Sequence, residues 1–228
     1  MKKWIACLLV AVLAMLAVSA CAEIGVAYGV YRFEGESPDS LIRATVQVED
    51  GKLTAVTFDE KLLPVSKGGA EGWAELPAEE GAAAGKQYAA AFSLDGTVWT
   101  IGEDLTVSNE DKGEFIAYIT SDEGGDWYYA QEQADLLDAE GNVISTVAIG
   151  TKASIEHGVH FWPSTITFPG NIEAIQSFLV TNGLDFTEAD IAKNEEGYWC
   201  VADAVSGATL AGTPNYLLLA QEAFAKAK

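Results

Sequence analysis

The sequence predicts an α+β fold, with an antiparallel or mixed sheet built from hairpins in the N-terminal part and helices in the C-terminal third. Three observations carry this. Residues 41–48 alternate apolar and polar, and an Asp50-Gly51 pair then turns the chain back through residues 53–58. Ile172, Ile175, Phe178 and Leu179 recur at helical spacing. Strand patterns come first and helix patterns follow, an order that argues for segregated strands and helices over alternating βαβ units.

In the first strand pattern, Ile42, Ala44, Val46 and Val48 share one face, and Arg43, Thr45 and Gln47 the other. Counting from the turn sets Glu49 opposite Lys52, Val48 opposite Leu53 and Val46 opposite Ala55. Asp95-Gly96 before 97–101 and Glu140-Gly141 before 143–149 offer similar acid-glycine turns. Residues 66–86, rich in Gly, Ala and Glu with Trp73 as an isolated large apolar residue, read as a surface loop, with or without a short helix. Residues 122–126 read as an acidic, glycine-containing turn. Asn171 is placed to cap the first helix, which Asn182-Gly183 stops. Thr187 with Asp190 opens a shorter helical segment over 188–193, and 198–201 reads as a buried strand. Thr213-Pro214 is an N-cap and first-turn pair for a final helix that buries Leu217, Ala220 and Phe224. Lys226 and Lys228 stand at its C-terminal end, where positive charge is favourable.

The N-terminus reads as an export signal. Lys2 and Lys3 precede an apolar run over 4–18, and Val18-Ser19-Ala20-Cys21 resembles the lipobox of bacterial lipoproteins. That resemblance implies removal of residues 1–20 and lipidation of Cys21, which anchors the chain to a cell membrane on its extracytoplasmic side. An uncleaved membrane helix is the other reading of the same stretch. Residues 21–228 are then one exported domain, with a β-rich part over about 24–120. The formal net charge of −21 becomes about −23 beyond the leader, which holds two lysines and no acid. Such a surface repels nucleic acid, which is not expected as a partner. Cys7 leaves with the leader and Cys21 takes the lipid, so Cys200 has no partner for an intramolecular disulfide. A small core hydrophobe is the expected role of Cys200.

The most informative run is Asp203-Ala204-Val205-Ser206-Gly207-Ala208-Thr209-Leu210. Gly207 and Ala208 present almost no side chain, so a bulky anionic group can approach the backbone. The Thr209 hydroxyl is a weak nucleophile that needs a base or metal to activate it. The run closely resembles the flavinylation signature D-x-x-[ST]-G-A-[TS] of FMN-binding domains. The resemblance implies FMN joined through its phosphate to Thr209 by a separate, exported, Mg²⁺-dependent flavin transferase that uses FAD. Asp203 corresponds to the family's upstream acid, a recognition or positioning residue, and Ser206 to its Ser/Thr position, which makes Ser206 a weaker candidate for the acceptor than Thr209. The family's further Ser or Thr three residues beyond the acceptor is Gly212 here. The first turn after Thr213 is expected to help hold the flavin phosphate.

A weaker likeness extends to Gly29-Val30-Tyr31 and residues 44–58, which look like the opening strands of membrane-anchored FMN-binding lipoproteins. Residues 140–149 suit the same role. The signature-bearing part therefore spans about 130–228, with its N-terminal limit open. The resemblance implies a membrane-anchored electron-transfer lipoprotein, relaying electrons between membrane redox partners and an extracytoplasmic acceptor. It would be a redox carrier or reductase component, not a stand-alone enzyme. The competing reading is a non-redox surface lipoprotein, a ligand-binding or adhesive module in which the run merely makes a turn.

Other chemistry is less specific. His157 and His160 have no H-E-x-x-H or cysteine pair beside them and read as ordinary strand or loop histidines, although Phe161-Trp162-Pro163 leaves a place near a flavin ring open. Tyr198 and Trp199 have the shape to stack on a flavin or to fill the core, the core being the expectation for Trp199. Carboxylates are too numerous to single out a glycosidase pair. The chain lacks a G-x-S-x-G elbow, a P-loop and a dinucleotide-binding G-x-G-x-x-G, which argues against a nicotinamide-dependent enzyme.

Overall fold

The computed structural model describes residues 22–31, 39–65, 72–77, 87–152 and 166–227. Cys21, His157, His160 and most of 66–86 lie outside them. Among the described residues no helix is long and apolar enough to cross a membrane.

Strand β1 (Glu23–Tyr31) pairs with β2 (Ser40–Glu49), and β2 with β3 (Lys52–Leu62), all antiparallel. Asp50 and Gly51 both take positive φ, 51° and 72°, the pair of left-handed residues that a tight two-residue hairpin needs. Glu49 faces Lys52 and Val48 faces Leu53 as expected, but an irregularity between Gln47 and Val48 shifts the register. Val46 therefore faces Val56, and Ala55 faces Gln47. An extra residue of this kind restores the alternation on both strands, so that Val46 and Val56 point into the same core.

The sheet is buried on both sides. Ala27, Tyr31, Ile42, Ala44 and Val46 enter a core shared with helices α3 (Phe168–Asn182) and α4 (Thr213–Lys226). Tyr28 and Leu41 enter a second core on the opposite side. That second core is closed by β6 (Ala91–Leu94), β7 (Thr97–Ile101), β8 (Val107–Asn109), β9 (Gly113–Glu114), β10 (Gln133–Leu137) and β11 (Val143–Ala148). These form one antiparallel sheet in the order β11-β10-β6-β7-β8-β9. Asp95-Gly96 makes the β6–β7 turn with φ of 48° and 75°. The α+β reading therefore holds: antiparallel sheets run through the N-terminal two-thirds, and α3 and α4 lie in the C-terminal part.

Three local readings are corrected. Residues 122–126 do not form a turn: they open helix α2 (Asp122–Tyr129), which follows helix α1 (Phe115–Ile119). Ser121 caps α2 by accepting from Gly124 N at 3.1 Å. Its glycines are packing devices, since a Cβ at Gly125 would overlap the Tyr28 ring and one at Gly124 the Tyr118 carbonyl. Trp73 is not isolated. It meets Phe92 edge-on at 4.8 Å and donates to Leu62 O and to the Tyr128 hydroxyl, beside a short β4–β5 pair (Glu75–Leu76 with Gln87–Tyr88). Residues 188–193 form one 3₁₀ turn (Glu188–Asp190) and then β12 (Ile191–Lys193), so only the capped start of that segment is helical.

Helix direction positions the site. Helix α4 packs on β1 and β2, with Gly212 at its start against the Tyr31 ring and Ala223 and Ala227 at its end against Gly25. Helix α3 begins beside Phe58 and Glu60 and ends beside Gly51 and Leu53 at the hairpin turn. Both helices thus start at one end of the β1–β3 sheet and finish at the other.

Candidate functional site

Strands β12, β13 (Trp199–Val201) and β14 (Ala204–Val205) form a small antiparallel sheet that carries the signature run. Ala202 takes φ of 50° in the two-residue turn between β13 and β14, and it donates to Asp190 O at 2.7 Å. Asp203, the second residue of that turn, is exposed. The chain then folds over β13. Ser206 is 5% exposed, and its hydroxyl donates to Trp199 O at 2.6 Å while accepting from Ala208 N at 3.2 Å. Trp199 N donates to Ala208 O at 2.8 Å, and the Trp199 indole donates to Leu210 O at 2.7 Å.

Trp199 was expected in the core, yet it is half-buried and belongs to neither apolar cluster. It braces the loop by three backbone and one indole hydrogen bond, and Lys193 stands 5.0 Å from its ring. Its neighbour Cys200 is buried and unpaired, as a small core residue should be. Gly207 has φ of 78° and a close neighbour in Ala174 of α3, so it suits the left-handed turn that swings Thr209 onto that helix.

Asn171 makes the decisive contact. It does not cap α3, because Thr167 is the N-cap and accepts from Gly170 N at 3.3 Å. Instead the fully buried Asn171 amide bridges two segments. Its Oδ1 accepts from Thr209 N at 2.7 Å and Leu210 N at 3.0 Å, and its Nδ2 donates to the Ile166 and Thr167 carbonyls, each at 3.1 Å. The Thr209 hydroxyl is only 3.4 Å from the same Oδ1, and Thr209 as a residue is partly exposed. The signature threonine therefore sits against the first turn of α3.

The final helix also begins one residue earlier than its sequence suggests. Gly212 is the N-cap and Thr213 the first helical residue, its hydroxyl donating back to Leu210 O at 2.7 Å. The side chain that a family-type Ser at 212 would carry has no room, because a Cβ there would overlap the Tyr31 ring.

Beyond α3's first turn, a cleft of about 160 Å³ opens between β3 and α3, lined in part by Phe58, Phe168, Ile172 and Tyr216. Its floor is ionic. Glu60 is buried and accepts from Ser40, Lys152 and Tyr216. Burial, and then the Glu60 carboxylate, hold the Tyr216 phenol well above its ordinary pKa.

Compared with protein-family models, with curated proteins and with solved structures, the chain matches none. Among the described residues no group of three or more His, Cys, Asp or Glu could hold a metal ion. The structure brings Ser206, Gly207, Ala208 and Thr209 into one braced loop, with Asp203 at its exposed edge. Asn171 and the loop-bracing role of Trp199 escaped sequence reasoning. Asn171 lies 38 residues from Thr209, and an asparagine at a helix start signals a cap just as strongly.

Proposed function

We propose that this protein is a membrane-anchored electron-transfer lipoprotein that carries FMN through a phosphoester on Thr209. The carrying observation is the contrast between two hydroxyls in the same loop. Ser206 is buried with its oxygen engaged twice, whereas Thr209 is partly exposed with a single 3.4 Å contact. Only the second can be approached by a modifying enzyme without dismantling the loop.

The surroundings suit a phosphodiester. Its remaining negative charge would lie at the first turn of the fifteen-residue α3, with the fourteen-residue α4 starting at the same end of the molecule. Helix N-termini carry positive partial charge and favour anions. The half-exposed Trp199 ring and the aromatic-lined cleft past α3's first turn offer apolar surfaces to a planar ring system. In the attachment reaction the Thr209 oxygen bonds to the FMN phosphorus, the pyrophosphate bond of FAD breaks, AMP leaves and the hydroxyl proton is lost. Once attached, the flavin supplies one- or two-electron redox chemistry, and the chain orients it.

Co-expression of the full chain with an active flavin transferase is the direct test. A yellow protein whose flavin survives denaturation, and whose intact mass includes one FMN, is expected. Thr209→Ala abolishes both properties, Thr209→Ser retains them, and Ser206→Ala retains the flavin at reduced stability. A colourless chain of unmodified mass, beside another target that the same transferase does modify, would replace this reading with that of a non-redox binding module.

A further inference from the structure

The two ends of the molecule differ in kind, and the N-terminus joins only one of them. Strand β1 begins at Glu23, so a single residue, Ala22, separates it from Cys21. Two residues of chain span at most about 7 Å. Glu23 pairs with Val48 next to the Asp50-Gly51 turn, and Gly25 lies against the last turn of α4. The β2–β3 turn and the C-terminal ends of α3 and α4 therefore surround the point where the chain enters the domain.

That end carries Ile24, 46% exposed, and Val180, 42% exposed. It also holds an open groove of about 630 Å³, lined in part by Leu53, Leu184 and Phe224, with Lys52 at its edge. Thr209 belongs to the opposite end, where α4 begins beside Tyr31. The fourteen residues of α4 alone separate the two ends by about 21 Å.

We infer that the end holding the groove rests on the lipid surface and that the signature loop at the far end faces the aqueous phase. This rests on Cys21 being acylated. The tether is too short to let the domain stand off the bilayer, and it joins the end that holds the groove, where Val180 is exposed among the half-buried Leu53, Leu184 and Phe224 and where Ile24 is exposed beside the entry point. Glu23, Glu49, Asp50 and Asp185 share that end, so it suits zwitterionic headgroups better than anionic ones. Whatever exchanges electrons at Thr209 must then reach the loop from the water side, as a protein domain standing clear of the membrane does. A small molecule confined to the bilayer cannot.

The test uses the acylated full-length protein in phosphatidylcholine vesicles, with one fluorophore on Val180→Cys or on Val205→Cys. Val205 is 54% exposed within the signature run, four residues before Thr209, at one of its variable positions. A quencher fixed to the lipid headgroups should dim the Val180→Cys probe several-fold more than the Val205→Cys probe, and a water-soluble quencher should show the reverse. Added phosphatidylserine should weaken the headgroup effect at Val180→Cys. Equal or inverted quenching on a chain whose mass shows the lipid would overturn the orientation and leave the anchor standing. A mass lacking the lipid would remove the anchor and the orientation together, leaving the flavin reading to its own test.

Discussion

A buried amide that satisfies two chain segments at once is costly to remove, and Asn171 is such a group. Asn171→Ala leaves the Thr209 and Leu210 N–H groups without their acceptor, takes one donor from each of the Ile166 and Thr167 carbonyls, and opens a void between the loop and α3. A buried polar group stripped of its bond costs about 1–3 kcal/mol. The expected loss for Asn171→Ala is about 3 kcal/mol, read as a lower urea midpoint at unchanged slope. Asn171→Asp keeps the acceptor towards Thr209 but sets a second oxygen against the Ile166 and Thr167 carbonyls, so it too destabilises. Thr209→Ala, by contrast, removes from a partly exposed residue a hydroxyl with one long contact and should change stability by less than about 0.5 kcal/mol. A large stability loss in Thr209→Ala would mean that the hydroxyl holds the loop together, and its exposure would then say nothing about attachment.

At the scale of elements, local pattern and packing compete, and α2 shows which one prevails. Two adjacent glycines in 122–126 are a turn signal by propensity, since each weakens a helix by about 1 kcal/mol relative to alanine. The helix forms nonetheless, because Gly125 lets Tyr28 of β1 lie flat on it and Ser121 caps it. Lys61 of β3 adds a hold on its C-terminal end by donating to the Tyr128, Tyr129 and Gln131 carbonyls. Gly125→Ala should therefore destabilise by about 1–3 kcal/mol despite its better helix propensity, because the overlap with Tyr28 outweighs the backbone gain. A stabilised Gly125→Ala protein in urea melts would show that the contact is loose. The same competition explains what could be read in advance. The β2–β3 hairpin, the Ile172–Leu179 stripe of α3 and its stop at Gly183 depend on neighbours in sequence, and all three are present. The insertion of β10 between β11 and β6 depends on pairing across some forty residues, for which no local pattern exists. The signature was legible as a string, but its setting was not: Asn171 and Trp199 act through backbone contacts that place no constraint on neighbouring residue types.

At the scale of the whole molecule, the β1–β3 sheet lies between two cores and couples them, and its burial of polar side chains sets the response to pH. Tyr28, Tyr128, Tyr129 and Tyr216 are all held above the ordinary tyrosine pKa, each chiefly by burial. Above pH 10 the unfolded chain releases these protons while the folded chain keeps them, so the unfolded state binds fewer protons and stability falls as pH rises. Lys61 acts in the opposite sense. Burial lowers its pKa from 10.5 to about 8, so between those values the unfolded state binds more protons and stability rises. Urea midpoints should climb gently from pH 8 and drop steeply beyond pH 10, and Lys61→Met should flatten the climb alone. The same layering bears on where the unit proposed to carry flavin begins. Residues 130–228 contain the signature, α3 and α4, but Ile175, Leu217 and Ala220 share one buried core with Ile42, Ala44 and Val46 of β2, α3 packs on β3 and α4 packs on β1 and β2. Cut away from the first three strands, both helices would expose those apolar faces to water. A fragment 130–228 should therefore show no cooperative urea transition and no near-ultraviolet signal from Trp199, and it should accept no flavin. The full chain should unfold in one step that reports on Trp99 in the second core and Tyr216 in the first. A folded, flavin-accepting fragment would move the boundary of the unit to residue 130, and separate transitions for the two cores would show that the shared sheet does not couple them.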